Sequence, residues 1–311
     1  MLKSLQKAFK VKEVRDRLLY TFMMLVVIRI GCCLPIPGVD PSYLHDFFSN
    51  LQNSGMGFFN AITGGSFSSM SIFALSITPY ITSSIIMQLL TIAIPKLEEM
   101  QKDGEDGRKK IAEYTRYLTV GLALFESCAM AVGLGGKGLL LEDHRNIWGY
   151  LTVVAAMTAG SALLMWIGER ITDNGVGNGI SIVLLINIVS GTPQDMMTLY
   201  ERFMAGRSVA VATVSGIIVL AIIVAIVVFV LVLNDAERRI PVQYSKKMQG
   251  RRMIGGQSTY IPLKVNTANV IPVIFASSIM SMPVMIAQFF HVDYSTIGGK
   301  ILLALSSSNW F

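Results

Sequence analysis

The residue types that most often carry chemistry are sparse in this chain and widely separated. Neither the Ser, His and Asp arrangement of a nucleophilic site nor two histidines at a metal-site spacing on one helix can be found. The three cysteines also lack the spacing of a zinc site. We therefore expect no enzymatic activity, no metal and no cofactor. The three histidines, each in a different segment, are His45, His144 and His291.

A glycine-rich turn at residues 174–179 is the segment that most nearly has the composition of a phosphate cradle. Such loops aim backbone N–H groups at anions. However, no buried strand precedes this turn and no Lys-Ser/Thr pair follows its last glycine, as a nucleotide-binding loop requires. We expect a tight turn before a helix.

Basic side chains are concentrated in one long polar loop, residues 234–264. Its length of about 30 residues exceeds what a tight connection needs, and long loops in compact proteins are usually functional or disordered. Tyr244 and Tyr260 are interleaved with the basic residues, so a hairpin here would suit an anionic partner such as ribosomal RNA. Alternatively, the charges only set the membrane orientation. The basic residues are Arg238, Arg239, Lys246, Lys247, Arg251 and Arg252.

The elements that position these segments are predicted to be membrane helices. Of 311 residues, 52% are hydrophobic and only 15% are charged, and the charges are gathered into short stretches. Because about 20 apolar residues cross a bilayer as a helix, the fold class is all-α, a polytopic transmembrane helix bundle. The fifth span is so short that a re-entrant hairpin or a core helix would fit its length equally well. The predicted spans are residues 18–34, 76–94, 114–134, 148–167, 179–190, 208–233 and 267–290.

The apolar stretch from Phe58 to Pro95 is too long for one span and is interrupted by small residues and a proline. Lipid offers no hydrogen bonds to the backbone, so irregular chain at membrane depth survives only where protein covers it or water fills a cavity. We predict a re-entrant half helix over about residues 58–75, followed by a full span. This arrangement is typical of a channel or a transporter. The interrupting residues are Gly64, Gly65, Ser66, Ser68, Ser69, Ser71, Ser76 and Pro79.

The Lys and Arg residues predict the orientation of the chain. With the amino terminus in the cytosol, 19 of the 26 lie in cytosolic segments and five in outer segments, in accord with the positive-inside rule. The short fifth span must then cross, because otherwise the basic loop would lie outside. The basic residues before the first span, which lacks a small-residue cleavage site, indicate an anchor rather than a cleaved signal peptide.

Polar side chains inside the predicted spans or directly beside them need partners, because each is costly in a bilayer. Arg29 is expected to pair with a carbonyl or an acid near the outer surface. The others are expected to hold neighbouring spans together by about 1 kcal/mol each, or to form a gate whose halves separate. They are Thr82, Gln88, Glu126, Asn187, Asn266 and Asn269.

Two alternatives to a channel stay open at this point. A secondary transporter also uses broken helices, but it needs charged or strongly polar ligands at mid-membrane. Glu126 is the only acid inside a predicted span. The second alternative is a scaffold that binds ribosomes through the basic loop without conducting.

Motifs distributed over essentially the whole chain closely resemble the SecY family, the channel subunits of the bacterial protein translocon. They are PIPG at 35–38, GGSFSSMSIFAL at 64–75, PY at 79–80, QLL at 88–90, GRKKI at 107–111, YTRY at 114–117, GVGNGIS at 175–181, GRR at 250–252, PLKVN at 262–266, IP at 271–272 and FASSI at 275–279. The resemblance implies a helical shell around an hourglass pore. A plug, which lies under the constriction, is implied at Gly64, Gly65, Ser66, Phe67, Ser68 and Ser69.

The resemblance also implies a pore ring, a lateral gate and a docking loop. A narrow aliphatic ring sheds water yet deforms around any side chain. The gate lets apolar signal segments reach the lipid, and the loop at residues 234–264 docks the ribosome or the SecA motor. The implied ring is Ile77, Ile81, Leu184 and Ile274, and the polar gate residues are Thr82, Glu126 and Asn266.

The implied partners are the SecE and SecG subunits, SecA, the ribosome, the nascent chain with its signal sequence, and membrane lipid. The implied location is the bacterial cytoplasmic membrane. Residues 1–190 would form the amino-terminal half of the channel, with five spans and the plug. Residues 191–311 would begin the carboxyl-terminal half, and the three further spans of family members are expected to be absent from this sequence.

Overall fold

The computed structural model describes residues 11–40, 63–134, 138, 140–141, 145–242, 247–249, 252–254, 259–267 and 276. Within these residues the chain forms seven α-helices and four short β-strands. The helices are α1 Lys12–Cys33, α2 Thr78–Ala93, α3 Pro95–Lys102, α4 Glu105–Leu134, α5 Ile147–Asn174, α6 Gly179–Phe203 and α7 Val209–Asp235. The strands are β1 Glu237–Val242, β2 Lys247–Gln249, β3 Arg252–Ile254 and β4 Thr259–Lys264. The predicted all-α class is confirmed, with the strands confined to the basic loop.

Three of the described helices, α5, α6 and α7, are long and apolar enough to cross a membrane. Helices α2 and α3 count as a fourth span if they are taken together, although they meet at an angle of 103°. The bend falls at Ile94, whose extended backbone is what a following proline favours. The predicted first and third spans are the helices α1 and α4. The predicted seventh span lies outside the described residues, except for residues 267 and 276.

Helix α6 is longer than the predicted fifth span. It begins at the predicted residue but continues to Phe203, for 25 residues, with Pro193 inside it. A proline removes one backbone hydrogen bond from a helix without necessarily ending it. At about 1.5 Å per residue the helix is long enough to cross, which removes the alternatives of a re-entrant hairpin and a short core helix.

The predicted half helix is wrong over the described part of its range. Residues 63–77, here called the turn segment, form a succession of turns, and residues 58–62 lie outside the described residues. Backbone φ is positive at Gly64 (66°), Gly65 (80°), Met70 (40°) and Ser76 (53°), values that an α-helix cannot contain. Serine hydroxyls also bond to nearby carbonyls, as Ser68 Oγ does to Gly65 O at 2.9 Å, which competes with helix formation.

The chain divides into two compact units, Met1–Pro193 with Phe275–Phe311, and Gln194–Ile274. In the first unit, the turn segment contributes to both of two buried apolar clusters. One cluster includes Phe67, Met70 and Leu75, and the other includes Phe73 and Ile77. The turn segment therefore belongs to the core of this unit.

The second unit contains α7 and the basic loop. Strands β1 and β4 pair antiparallel from Glu237 opposite Lys264 to Val242 opposite Thr259. Strands β2 and β3 pair antiparallel between them in the sequence. The predicted hairpin is thus confirmed, and we call residues 237–264 the basic arm.

Candidate functional site: a buried turn segment beside an aliphatic cluster

The turn segment is held on one side by the chain that follows α1. Ile36 N donates to Met70 O and Ile72 N donates to Leu34 O, each at 3.0 Å. These bonds form an isolated antiparallel bridge between Pro35 and Ser71. The PIPG sequence after α1 thus pairs with the turn segment, a long-range contact for which the sequence contains no local signal.

Two glycines let helix backbones approach the turn segment closely. Gly64 has φ of 66°, and a Cβ there would lie 2.8 Å from Asn187 O and 2.9 Å from Ser190 Oγ on α6. On α5, a Cβ at Gly160 would overlap the backbone carbonyl of Ile72. Side chains at either glycine would push the turn segment away from its neighbours.

A chain of hydrogen bonds connects α1, α6 and the turn segment. Arg29 Nη1 donates to Ser190 Oγ at 2.8 Å, and Ser190 Oγ donates to Asn187 O at 2.6 Å. Asn187 Nδ2 donates to Ser76 Oγ at 3.0 Å in a fully buried pair. The prediction that Asn187 joins neighbouring segments is confirmed. The predicted partner of Arg29 is wrong, because a serine hydroxyl takes the place of a carbonyl or an acid.

Three of the four aliphatic ring candidates meet in one apolar cluster. Ile77 is fully buried, and the half-buried Ile81 and Leu184 pack against the same cluster. Ile274 lies outside the described residues. We call Ile77, Ile81 and Leu184 the aliphatic cluster. These three side chains pack among other apolar residues of α1, α5, α6 and the turn segment, of which the buried ones are Ile28, Cys32, Phe73, Leu164, Ile167, Ile171 and Val183.

This arrangement offers an apolar surface that can deform without breaking fixed hydrogen bonds. Aliphatic side chains repel water from a narrow passage and adapt to different occupants. The neighbouring hydrogen bonds connect the turn segment to α6 and α1. The arrangement is therefore suited to sealing a passage and yielding to an occupant.

Among the described residues, neither Thr82 Oγ1 nor Glu126 Oε2 makes a hydrogen bond to another helix. Thr82 Oγ1 bonds within its own helix, to Thr78 O at 3.1 Å. Glu126 Oε2 is buried and has no hydrogen-bond partner among the described residues. Asn266 is half-buried in the second unit.

Besides the ion pair of Arg116 on α4 with Glu169 on α5, at 2.8 Å, small hydroxyl side chains that were not among the predicted site residues connect α2, α4 and α5. Ser83 Oγ donates to Thr115 O at 2.8 Å. Ser127 Oγ and Thr158 Oγ1 are 2.9 Å apart. The sequence gives little indication of these contacts, because serine and threonine are frequent in apolar helices and bond equally well within their own helix.

The basic arm presents arginines and a tyrosine to solvent. Arg238 and Arg239 are exposed on β1, and the guanidinium of Arg239 lies 4.6 Å from the ring centroid of Tyr260. Lys247 and Arg252 lie on β2 and β3. Lys246 and Arg251 lie outside the described residues, as do Tyr244 and the three histidines.

The glycine-rich turn leads into α6, as predicted. Asn178 Oδ1 accepts hydrogen bonds from the backbone N–H groups of Ile180, at 3.0 Å, and Ser181, at 3.3 Å. These are donors that the first turn of a helix leaves unpaired. The turn caps the helix that carries Leu184.

Comparisons with known proteins agree with this geometry. A family model described as SecY matches residues 71–311. The protein translocase subunit SecY of Streptomyces scabiei is 46% identical over 301 residues, which cover 93% of this chain and 68% of the relative. A solved SecY structure concerned with the plug domain has a TM-score of 0.56 at 20% identity, covering 92% of this chain and 61% of the other. Sec61 from a canine ribosome-channel complex has a TM-score of 0.51 at 21% identity, covering 89% of this chain and 59% of the other.

Proposed function

The chain belongs to the SecY family, and on that premise we propose that it forms part of a protein-conducting channel subunit. The channel moves unfolded, signal-bearing polypeptides across a membrane and releases apolar segments sideways into the lipid. The chain spans 68% of the Streptomyces relative and 59% to 61% of the solved channel chains. The activity proposed here is that of the full-length protein with this sequence in it.

The observation that carries the proposal is the turn segment lodged directly beside the aliphatic cluster. Ser76 is buried and hydrogen-bonded to α6, and the next residue, Ile77, belongs to the cluster. The turn segment also buries Phe67, Met70 and Phe73, so it can leave its position only where an incoming apolar segment replaces these contacts. The turn segment then acts as the plug, and Ile77, Ile81 and Leu184, with Ile274, form the ring that seals around a moving chain.

The gate residues are assigned from the family resemblance, and the docking surface from the resemblance and from the exposed arginines of the basic arm. We assign the polar residues of the lateral gate to Thr82, Glu126 and Asn266. Exposed arginines on the basic arm support a partner rich in negative charge. That partner is the ribosome or the SecA motor, and the docking residues are Arg238, Arg239, Lys246, Lys247, Arg251 and Arg252.

The remaining assignments follow from the channel proposal. SecE and SecG are the companion subunits, and the bacterial cytoplasmic membrane is the location. The amino terminus and the basic arm lie on the cytosolic side, as the distribution of basic residues predicts. The comparisons support a channel and give no support to a secondary transporter or a non-conducting scaffold.

A crosslink between the aliphatic cluster and a moving chain tests the proposal. Cys32, Cys33 and Cys128 are replaced in the full-length protein, and one cysteine is introduced by Leu184→Cys. A secretory chain stalled in transit is expected to form an adduct at this position, because the ring closes around it.

The matched control is Leu163→Cys on α5, whose side chain is exposed and belongs to neither apolar cluster. Equal adducts at both positions would show unspecific reaction. If the stalled chain reacts with neither cysteine, although it is shown to be in transit, Leu184 does not line the passage and the proposal is overturned.

A further inference from the structure

The hydrogen bonds between α1, α6 and the turn segment meet at one buried side chain, Asn187. It is 1% exposed, and so is its partner Ser76. The apolar residues Val183, Leu184 and Ile186 precede it on the same helix and pack in the cluster around Ile77. A polar amide at this depth is unfavourable unless its hydrogen bonds are made.

Asn187 is not fully satisfied even with the turn segment in place. Its Nδ2 donates to Ser76, but Oδ1 has no hydrogen-bond partner among the described residues. A leucine of similar size would fill the same space without leaving a buried polar atom. The amide therefore contributes a specific contact with the turn segment more than it contributes to packing.

Both ends of the turn segment touch the same stretch of α6. Ser76, at its carboxyl-terminal end, accepts the hydrogen bond from Asn187. Gly64, near its start, lies so close to Asn187 O and Ser190 Oγ that a Cβ would approach each within 3 Å. One helix face thus holds the two ends of the segment together.

Ser190 and Arg29 support this contact from behind. Ser190 Oγ donates its proton to Asn187 O and accepts a hydrogen bond from Arg29 Nη1. The hydroxyl therefore acts as donor and acceptor at once. Arg29 belongs to α1, which links the position of α6 to a third helix. The side chains form one connected set in which each fixes the next.

We propose that Asn187, supported by Ser190 and Arg29, is a latch that holds the turn segment closed. The latch contributes to how strongly an incoming apolar segment must bind before the turn segment moves out of its position. This inference rests on the proposed function. An incoming segment shifts the turn segment only by as much as it favours the open state, so the Asn187 contact adds to a threshold that the buried apolar side chains of the turn segment also raise.

The test measures opening directly, in full-length channel assembled with its companion subunits in membranes. All native cysteines are replaced, and Ser66→Cys supplies a probe at a turn-segment position that is 1% exposed. A membrane-impermeant maleimide labels this cysteine only while the segment is displaced. Labelling rates are compared for Ser76→Ala, Asn187→Leu and the two substitutions together.

Each single substitution is expected to raise the labelling rate by about fivefold, the effect of losing one hydrogen bond of ordinary strength in a membrane protein. The double variant is expected to be no faster than the faster single variant, because both changes remove the same contact. Ser161→Ala is the matched control. It removes a hydroxyl that is also 1% exposed but has no hydrogen-bond partner among the described residues, and its labelling rate should equal that of the parent.

Rates in Ser76→Ala and Asn187→Leu that match Ser161→Ala would overturn the latch, and so would independent effects that multiply in the double variant. If Asn187→Leu does not accumulate, Ser76→Ala and Ser190→Ala decide the question. Export of a reporter with a weakened signal segment is measured in parallel and should rise with labelling. If the parent protein exports nothing although the variants are labelled faster, the channel function is refuted. If the parent exports normally and the variants are labelled no faster than the parent, only the latch is refuted.

Discussion

Asn187 Nδ2 donates a buried hydrogen bond to Ser76 Oγ over 3.0 Å, and this contact sets the relative positions of two parts of the aliphatic cluster. Ser76 directly precedes Ile77. Asn187 lies three residues after Leu184, on the same face of α6. A directional hydrogen bond beside packed aliphatic side chains helps to fix the positions of Ile77 and Leu184 relative to each other.

The seal is the first property to test. Replacing Ile77 and Leu184 together by serine is expected to raise the ion conductance of the resting full-length channel severalfold, because hydroxyl groups hold water where aliphatic groups exclude it. Conductance is measured in planar bilayers.

The control for the seal is Ile92→Ser combined with Leu163→Ser, which changes one exposed apolar residue on α2 and one on α5. It should leave the conductance unchanged. Equal conductance in both double variants and in the parent would count against the ring.

Docking by the basic arm is expected to depend on charge. Arg251→Glu with Arg252→Glu should weaken binding of ribosomes or SecA by about tenfold or more at physiological salt, because each reversal replaces attraction to an anionic group by repulsion. The affinity should also depend less steeply on salt concentration, since fewer charge contacts remain. Binding is measured by cosedimentation with proteoliposomes over a series of salt concentrations.

For docking, the same charge reversal at Arg202 and Arg207 provides the control, because both are predicted to lie on the opposite side of the membrane. Undiminished affinity in the variant of the basic arm would contradict its assignment as the docking surface.

The cap of α6 contributes to stability. Asn178→Ala removes the acceptor of the N–H groups of Ile180 and Ser181, and it should lower the free energy of unfolding by about 1 kcal/mol. Thermal unfolding in detergent reports the change. Asn174→Ala, at the end of α5, is the comparison and should have a smaller effect. A cap variant as stable as the parent would show that the turn is held by other contacts.

Close approach of α5 to the turn segment requires a glycine. Gly160→Ala places a methyl group against the carbonyl of Ile72 and is expected to destabilise the protein by about 1 to 3 kcal/mol. Gly121→Ala, in α4, meets no atom within 4 Å and should be neutral or slightly stabilising, because alanine favours a helix. Similar thermal stabilities for the two variants would mean that the turn segment shifts freely away from α5.

Local patterns in the sequence were sufficient for the starts of most of the predicted spans and for the basic arm, although α6 continues to Phe203, beyond the predicted span. The predicted span at 208–233 corresponds to α7, Val209–Asp235, and the turn before residue 179 corresponds to the start of α6. A run of apolar residues or a cap acts through neighbours in the chain, so its consequence is readable without the rest of the molecule. The family resemblance added the ring and plug positions, which composition did not distinguish from ordinary core.

Only the tertiary structure decided the conformation and the contacts of the turn segment. Apolar composition predicted a half helix there, but glycines with positive φ and serine hydroxyls bonded to the backbone produce turns, and the bridge to Pro35 holds them. The partners of Arg29 and Asn187 are Ser190 and Ser76, residues 161 and 111 positions away in the chain. A hydrogen bond forms only when donor and acceptor are about 3 Å apart. The chain has many serines with the same chemistry, so the packing of the helices alone decides which of them comes close enough to Arg29 or Asn187.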